Sequence, residues 1–385
     1  MPNIENQLEE VTGALAMDID SRIYPESPWL HFPKKTAWPE EIGHVFETVK
    51  FERTAPDAAQ TWQAHATADG TGNICNPPTT KLAFKTTRNA VQLESTAVET
   101  EDFCVDDMRA KYKRDEQVDL ATDMLAMNIK NIWIDHYRDK YASVANRKIV
   151  LNASLTETDQ SDGDSFGTGD GPATGELNND VLDYFYQYLL VEGGRRFATT
   201  VANGQPIFTL VCGYTTSRNL IKGDANTRND LRDSSHADKL LLALGYAHTY
   251  NGFVHAIDDT PRRHEWDGGT PQWIRHQPWT TVGGVEVANP DYESADHEDT
   301  FIYVNNVYEC LVPGSIAKVA DMGFTPQNYI GEVSWKNIQN RTDNVDGKNG
   351  FFRAVLGSAV RPRNTEFGIV IRHLRCPNLN LTGCA

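Results

Sequence analysis

The sequence predicts an α+β fold, and three observations lead there. A helical pattern centred on residues 115–146 runs about thirty residues without Gly or Pro. Short Thr-, Val- and Phe-rich runs bounded by turn clusters lie both before it and after it. Helix and strand patterns do not alternate regularly, so no β-α-β series is called for.

Residues 1–44 read as an arm. Residues 4–17 fit a short amphipathic helix, and the Pro-rich stretch 24–39 is expected to be extended, with no core of its own. Residues 45–101 read as a long two-stranded hairpin. Strand-like runs at 46–51, 82–86 and 90–93 flank the turn clusters Asp69-Gly70-Thr71-Gly72 and Asn76-Pro77-Pro78. Such a ribbon is marginal alone in water, so it must lie on something, another copy of the chain being one candidate.

The segment 102–175 holds the long helix. Val118, Ala121, Leu125, Ile129 and Ile132 recur at steps of three and four, which stacks them on one face. Leu120, Met124, Met127, Ile134 and Tyr137 widen the stripe, so more than one side is expected to find apolar cover. Thirty residues at 1.5 Å rise make a spine of about 45 Å. A strand follows at 148–151, then an Asp-, Ser- and Gly-rich surface loop at 156–175.

Within 176–330 a second helix opens at Leu177-Asn178-Asn179, where Asn is a good cap. Val181, Tyr184, Phe185, Tyr188 and Leu189 form its apolar stripe, and Gly193-Gly194 end it. Residues 206–213 read as a buried strand, 216–233 as polar helix or loop, and 240–246 and 252–256 as strands. Residues 261–290, with Trp266, Trp273 and Trp279, read as an inserted, decorated loop, and 301–311 as one aromatic, β-branched run. Within 331–385, residues 350–358 and 366–374 read as a closing strand pair. No repeat or heptad register is present.

At 385 residues with 39% hydrophobic content, the chain can build a substantial core, as two domains or one with large excursions. A net charge of −17 makes it a poor non-specific binder of nucleic acid, because phosphate affinity comes from clustered Lys and Arg. No apolar run approaches the ~20 residues of a membrane helix. The opening MPNIENQLEEV lacks the basic and apolar blocks of a signal peptide, so an intracellular product is expected where it is made. The six cysteines hold no C-x-x-C pair and read as free thiols, although a Cys376–Cys384 disulfide stays open.

Motifs for chemistry are missing. The stretch 163–175 lacks the G-K-[ST] ending of a phosphate loop. Asp159, Asp162, Asp164 and Asp170 could ligate calcium, but Phe166 breaks the EF-hand spacing and a solvated loop is the plainer reading. His264-Glu265 and His297-Glu298 each lack the second His of a zinc helix, and His248 and His255, across a turn at Asn251-Gly252, read as structural or surface groups. No serine sits in a nucleophile elbow. Arg361, Arg363, Arg372 and Arg375 read as a salt-bridged surface, with packaged nucleic acid or a neighbouring subunit as the rival reading. The expectation is a protein that is not an enzyme, with no catalytic residue, no cofactor and no metal.

Several stretches are similar to capsid sequences of podophage and siphophage type. They are Cys75-Asn76-Pro77-Pro78, Glu101-Asp102-Phe103-Cys104-Val105-Asp106-Asp107-Met108-Arg109, Glu116-Gln117, Trp133-Ile134-Asp135-His136-Tyr137-Arg138-Asp139, and residues 206–213 followed by Thr216-Ser217-Arg218-Asn219-Leu220. The order of parts resembles major capsid proteins of tailed bacteriophages with the Hong Kong 97 phage fold. That resemblance implies an N-terminal arm (1–44), an E-loop hairpin (45–101), a peripheral domain with its spine (102–175), an axial domain with an insert near 261–290 (176–330), and return strands of the peripheral domain (331–385).

It further implies hexamers and pentamers of an icosahedral head around double-stranded DNA held without sequence specificity. Portal and scaffolding proteins, an optional cement protein and no membrane are the implied partners, and the place is the virion after assembly in the host bacterial cytoplasm. Trp62, Cys75, Pro77, Pro78 and Arg88 in the hairpin, with Asp106, Asp107 and Arg109 at its base, are the expected intersubunit residues. The rival is a calcium- or carbohydrate-binding virion-surface or fibre protein that uses Trp266, Trp273 and Trp279 as stacking platforms.

Overall fold

The computed structural model describes residues 27–37, 45–53, 84–100, 103–104, 111–153, 166–168, 172–192, 197–202, 205–222, 248–250, 252–266, 273–283, 285–312, 333–337 and 349–375. It divides into two units, one of residues 1–39 and 94–385 and one of residues 40–93. Helix and strand are mixed without alternation, so the fold class is α+β as expected.

The unit of residues 40–93 is built on a ribbon of two nine-residue strands, β2 (Val45–Arg53) and β3 (Phe84–Gln92). They pair antiparallel from Val45↔Gln92 to Arg53↔Phe84, and neither pairs with another described strand. The two short strands expected at 82–86 and 90–93 are one continuous strand, because pairing along the whole length of β2 carries the chain through Asn89, which lies opposite Thr48.

The larger unit begins with a short helix, α1 (Pro28–His31), and a strand, β1 (Lys34–Ala37). The helix departs from the extended stretch expected at 24–39, and its side chains join the core of the larger unit. Trp29 and Leu30 are fully buried, and the Trp29 ring meets Phe301 edge-on at 5.0 Å and Tyr141 at 5.8 Å. β4 (Glu94–Glu99) and β5 (Phe103–Cys104) lead to α2 (Lys111–Val144), whose 34 residues span about 51 Å. Leu125, Ile129, Trp133, Tyr137 and Tyr141 are buried at steps of four along its inner face. Of the wider stripe Ile134 and Tyr137 are buried, whereas Leu120 and Met127, toward the start of the helix, are about half exposed.

Next come β6 (Arg147–Leu151), β7 (Phe166–Thr168) and α3 (Asn179–Val191). β7 corrects the loop reading, since Phe166 and Thr168 pair with β6 at the sheet's edge. The cap of α3 is the expected one, with the Asn178 Oδ1 accepting from the Val181 N–H at 2.9 Å. The chain continues through β8 (Thr200–Ala202), β9 (Gln205–Gly213), α4 (Tyr214–Lys222), β10 (His248–Tyr250) and β11 (Phe253–Asp258). The strand expected at 240–246 lies outside the described residues. His248 and His255 face each other across the β10–β11 hairpin. Gly252 there has a φ of 78° and backs onto the Tyr186 ring, which leaves no room for a Cβ.

The stretch 261–290 is two hairpins rather than a loop. β12 (Arg263–Trp266) pairs with β13 (Trp273–His276), and β14 (Trp279–Val282) with β15 (Val285–Ala288). After α5 (Pro290–Ser294), the run read as one strand is two, β16 (His297–Tyr303) and β17 (Tyr308–Val312). The turn between them holds Asn306 at a φ of 61°, a conformation Asn tolerates, and β16 and β17 enter different sheets.

The last elements are β18 (Val333–Asn337), β19 (Asn349–Pro362) and β20 (Ile369–Leu374). β19 and β20 are not the pair expected. The 3-10 turn Thr365–Phe367 redirects the chain between them, and each joins its own sheet. A six-stranded sheet runs β1-β17-β19-β18, with β4 and β5 also on β19. A ten-stranded sheet runs β10-β11-β9-β16-β20-β6-β7, with β8 on β9 and the β12–β13 hairpin on β16. α2 is tied to the junction of the two sheets: the Tyr308 hydroxyl donates to the Tyr137 carbonyl at 3.1 Å and the Tyr141 hydroxyl to the Ile302 carbonyl at 2.5 Å.

Candidate functional site

Of the expected intersubunit residues, Trp62, Cys75, Pro77, Pro78, Asp106, Asp107 and Arg109 lie outside the described residues. Arg88 lies in β3 opposite Val49.

What the sequence reading missed is a cluster of buried charge at the start of β16. His297, Glu298, Asp299 and Thr300 are all buried, two of them acidic residues fully enclosed in the middle of a sheet. Such burial is affordable only when partners replace the lost water. The Glu298 Oε1 accepts from the Gly213 N–H at 3.0 Å and the Thr216 hydroxyl at 2.7 Å, while its Oε2 faces the Arg263 Nε at 3.6 Å. Gly213 is required here, because a Cβ would lie 2.7 Å from the Glu298 Oε2. Asp299 accepts from the Arg372 Nε at 2.9 Å and contacts the His264 Nε2 at 3.0 Å and the Arg262 Nε at 3.5 Å.

Burial alone would raise the Asp299 pKa, but His264, Arg372 and Arg262 outweigh it and hold the carboxyl well below the usual carboxylate range. Burial holds His264 below its ordinary value against the pull of Asp299, with Arg262 and Arg372 adding to the depression. The Asp299 carboxylate accepts from the His264 ring, and the Arg372 and Arg262 guanidinium groups beside it supply compensating charge.

A third buried acid, Asp258, ties the N-terminal segment to α2. Its Oδ2 accepts from the Trp29 indole N–H at 2.7 Å and faces the Arg138 Nη1 at 3.7 Å, and its Oδ1 accepts from the Thr260 N–H at 3.0 Å. Burial lifts the Asp258 carboxyl against these three partners. The fully buried Arg138 also bonds Asp135 and the Thr260 carbonyl. Arg363 belongs to a third tie, where its Nη2 meets the Glu309 Oε2 at 2.7 Å and the Thr36 hydroxyl donates to the Glu309 Oε1 at 2.5 Å. Three of the four C-terminal arginines are thus ion-paired, as the plainer reading held, but Arg375 is buried rather than on the surface.

These carboxylates act as clamps, each joining elements far apart in the chain. The signal for them was present in the sequence: His297-Glu298-Asp299-Thr300 runs straight into Phe301-Ile302-Tyr303, an acidic patch inside an apolar strand. Among the described residues no group of three or more His, Cys, Asp or Glu could hold a metal ion. Trp266 and Trp273 are cross-strand partners in the β12–β13 hairpin rather than loop residues. Cys212 and Cys310 are buried thiols outside any disulfide, and burial raises the Cys212 pKa well above its usual value.

The architecture is a two-sheet framework clamped by buried ion pairs, with a paired ribbon as a unit of its own. By sequence, no family model and no curated protein matches the chain. By structure, it is similar to the capsid of Ralstonia phage GP4, with a TM-score of 0.48 and 11% identity over 90% of this chain and 88% of that one. It is also similar to the cyanophage Pam1 capsid asymmetric unit, with a TM-score of 0.47 and 10% identity over 93% of each chain. For the acidic stable capsid structure of Helicobacter pylori bacteriophage KHP30 the TM-score is 0.45 and the identity 10%, over 91% of this chain and 92% of that one. Likeness at such identity concerns the course of the chain and assigns no function.

Proposed function

We propose that the chain is a major capsid protein with the Hong Kong 97 phage fold, assembling into hexamers and pentamers of an icosahedral phage head around double-stranded DNA. The observation that carries this is the β2–β3 ribbon. Two nine-residue strands pair only with each other among the described strands, in a unit separate from the rest of the chain. A two-stranded ribbon is marginal in water by itself. A shell answers that need by laying each ribbon over a neighbouring copy, and closed symmetry repeats the contact.

On this reading the ribbon is the E-loop, α2 the spine of the peripheral domain, and residues 176–330 the axial domain. Trp62, Cys75, Pro77, Pro78, Arg88, Asp106, Asp107 and Arg109 serve contacts between copies. The role is structural and non-enzymatic, which fits buried acids that are occupied in holding elements together. The charge of −17 keeps the wall from gripping DNA, so the genome enters and leaves freely. Portal and scaffolding proteins are the expected assembly partners, assembly takes place in the host bacterial cytoplasm, and the final place is the virion.

Electron microscopy of the purified protein tests the reading. Hollow spheres or sixfold rings are expected. Discrete monomers or trimers whose stability follows calcium would overturn it in favour of the virion-surface binding protein.

A further inference from the structure

A cavity of about 240 Å³ lies between the end of α2 and the β20–β6 part of the ten-stranded sheet, and it opens to the outside. Parallel pairing sets Lys148 beside Val370 and Val150 beside Arg372, so these four side chains share the sheet face that lines it. Arg262 and Asp139 complete its charged wall. Three cations therefore meet one acid there. A second acid, Asp299, stands behind Arg372 and Arg262, at 2.9 and 3.5 Å. It is fully enclosed, whereas the two arginine side chains are 14% and 20% exposed and so within reach of a group that enters.

Three positive charges against two negative ones leave one positive charge over. Lys148 supplies it, being exposed and, among the described residues, paired with no carboxylate. This local excess runs against the sign of the chain, whose net charge is −17. In a concave wall with part of its surroundings dry, such an excess attracts an opposite charge more strongly than on an open surface.

The lining also defines the occupant. Ammonium and guanidinium groups only donate, so the entering head must bring acceptor oxygens and negative charge. Val150 and Val370 on the same face suit a short hydrocarbon stem behind that head. The volume is about eight times the ~30 Å³ share of one water, enough for the end of an acidic side chain. With 53 Asp and Glu against 36 Lys and Arg, a second copy of this chain brings carboxylates to any face it presents.

We propose that this cavity seats an Asp or Glu carboxylate of a neighbouring copy. The proposal rests on the shell reading, and it makes Lys148, Arg262 and Arg372 the receiving side of a charged contact between copies.

Two measurements on the full chain decide this. In unassembled protein the lysines carry isotope-labelled methyl groups, and the Lys148 signal is identified as the one lost in Lys148→Arg. It is followed by NMR at constant ionic strength during titration with propionate, dimethyl phosphate and ethylammonium. A saturable shift with propionate, absent with ethylammonium, is expected. Indifference to propionate overturns the pocket, and tighter binding of dimethyl phosphate overturns the carboxylate in favour of a DNA backbone. In the second measurement, Lys148→Glu and Lys148→Arg are compared with the parent. Lys148→Glu should leave the unassembled melting temperature unchanged while the yield of shells falls at least about tenfold, because like charges then face each other, and Lys148→Arg should keep the yield. Shells grown from a mixture of light and isotope-heavy chains and treated with a carbodiimide should contain Lys148 joined to an Asp or Glu in light–heavy hybrid peptides. An unchanged yield, or Lys148 joined only within its own chain, overturns the neighbouring copy as the source. If the parent forms no shells, the assembly reading fails, and the titration still decides the pocket.

Discussion

Trp29 is the sharpest place to ask whether the N-terminal segment belongs to the core. The residue is fully buried, its ring packs against Phe301, Tyr141, Phe32 and Tyr303, and its indole N–H serves Asp258. Truncation to Ala removes the ring contacts, at about 3–5 kcal/mol for a buried aromatic. It also leaves a buried acceptor short of a donor, at about 1–3 kcal/mol. The two losses share one site and do not add fully, so Trp29→Ala should cost about 5 kcal/mol. Against a total stability of about 5–15 kcal/mol, that brings the fold close to its limit.

Trp29→Phe keeps a ring and removes the donor, so about 1–3 kcal/mol is expected. The assay is urea unfolding followed by near-ultraviolet circular dichroism, with stability taken from midpoint and slope. A double-mutant cycle with Asp258→Asn should return a coupling of about 1 kcal/mol or more. If Trp29→Ala costs less than about 1 kcal/mol, the segment is a loosely attached arm after all and the packing argument is refuted.

Two further outcomes follow from the clamps. Gly213→Ala places a Cβ 2.7 and 2.8 Å from the Glu298 oxygens and 2.9 Å from the Pro261 Cγ, all held in the interior, so a loss of about 2–3 kcal/mol by the same unfolding assay is expected, and a neutral effect would show that the clamp yields. The melting temperature should fall as pH drops from 7.5 to 5, because His264 is held below its ordinary pKa when folded and takes a proton more readily when unfolded, at a ceiling of about 1.4 kcal/mol per pH unit. The Asp299 contribution has the same sign and is lost as pH falls from the ordinary carboxylate range downward, and because His264 also helps to hold that carboxyl low, His264→Gln should flatten the upper step and shrink the lower; an unchanged upper step would assign it elsewhere.

The long helix and the Asn178 cap were legible because both are written in local spacing, steps of three and four and a polar residue before an apolar stripe. The turn between His248 and His255 was legible because Asn-Gly is a turn pair, and it joins β10 to β11. Pairing between distant strands was not. Nothing near 350–374 says that β19 and β20 part company, since each finds its partners far away in the sequence. The break between β16 and β17 depends on a two-residue turn, Asn305-Asn306, that composition hides inside an apolar run. The buried acids were illegible one by one, because a Glu or Asp is ordinarily a surface residue and only its partners, up to 273 residues away, make burial tolerable.

The place of β20 has a consequence for timing. This strand sits between β16 and β6, pairing antiparallel with one and parallel with the other, and closes the widest sheet from within. Until residue 374 has been made, β6 and β16 each keep an open side, and the widest sheet stays unfinished in the nascent chain. The ten-stranded sheet therefore closes by pairing between distant segments, the slower kind of folding step, rather than strand by strand as the chain emerges.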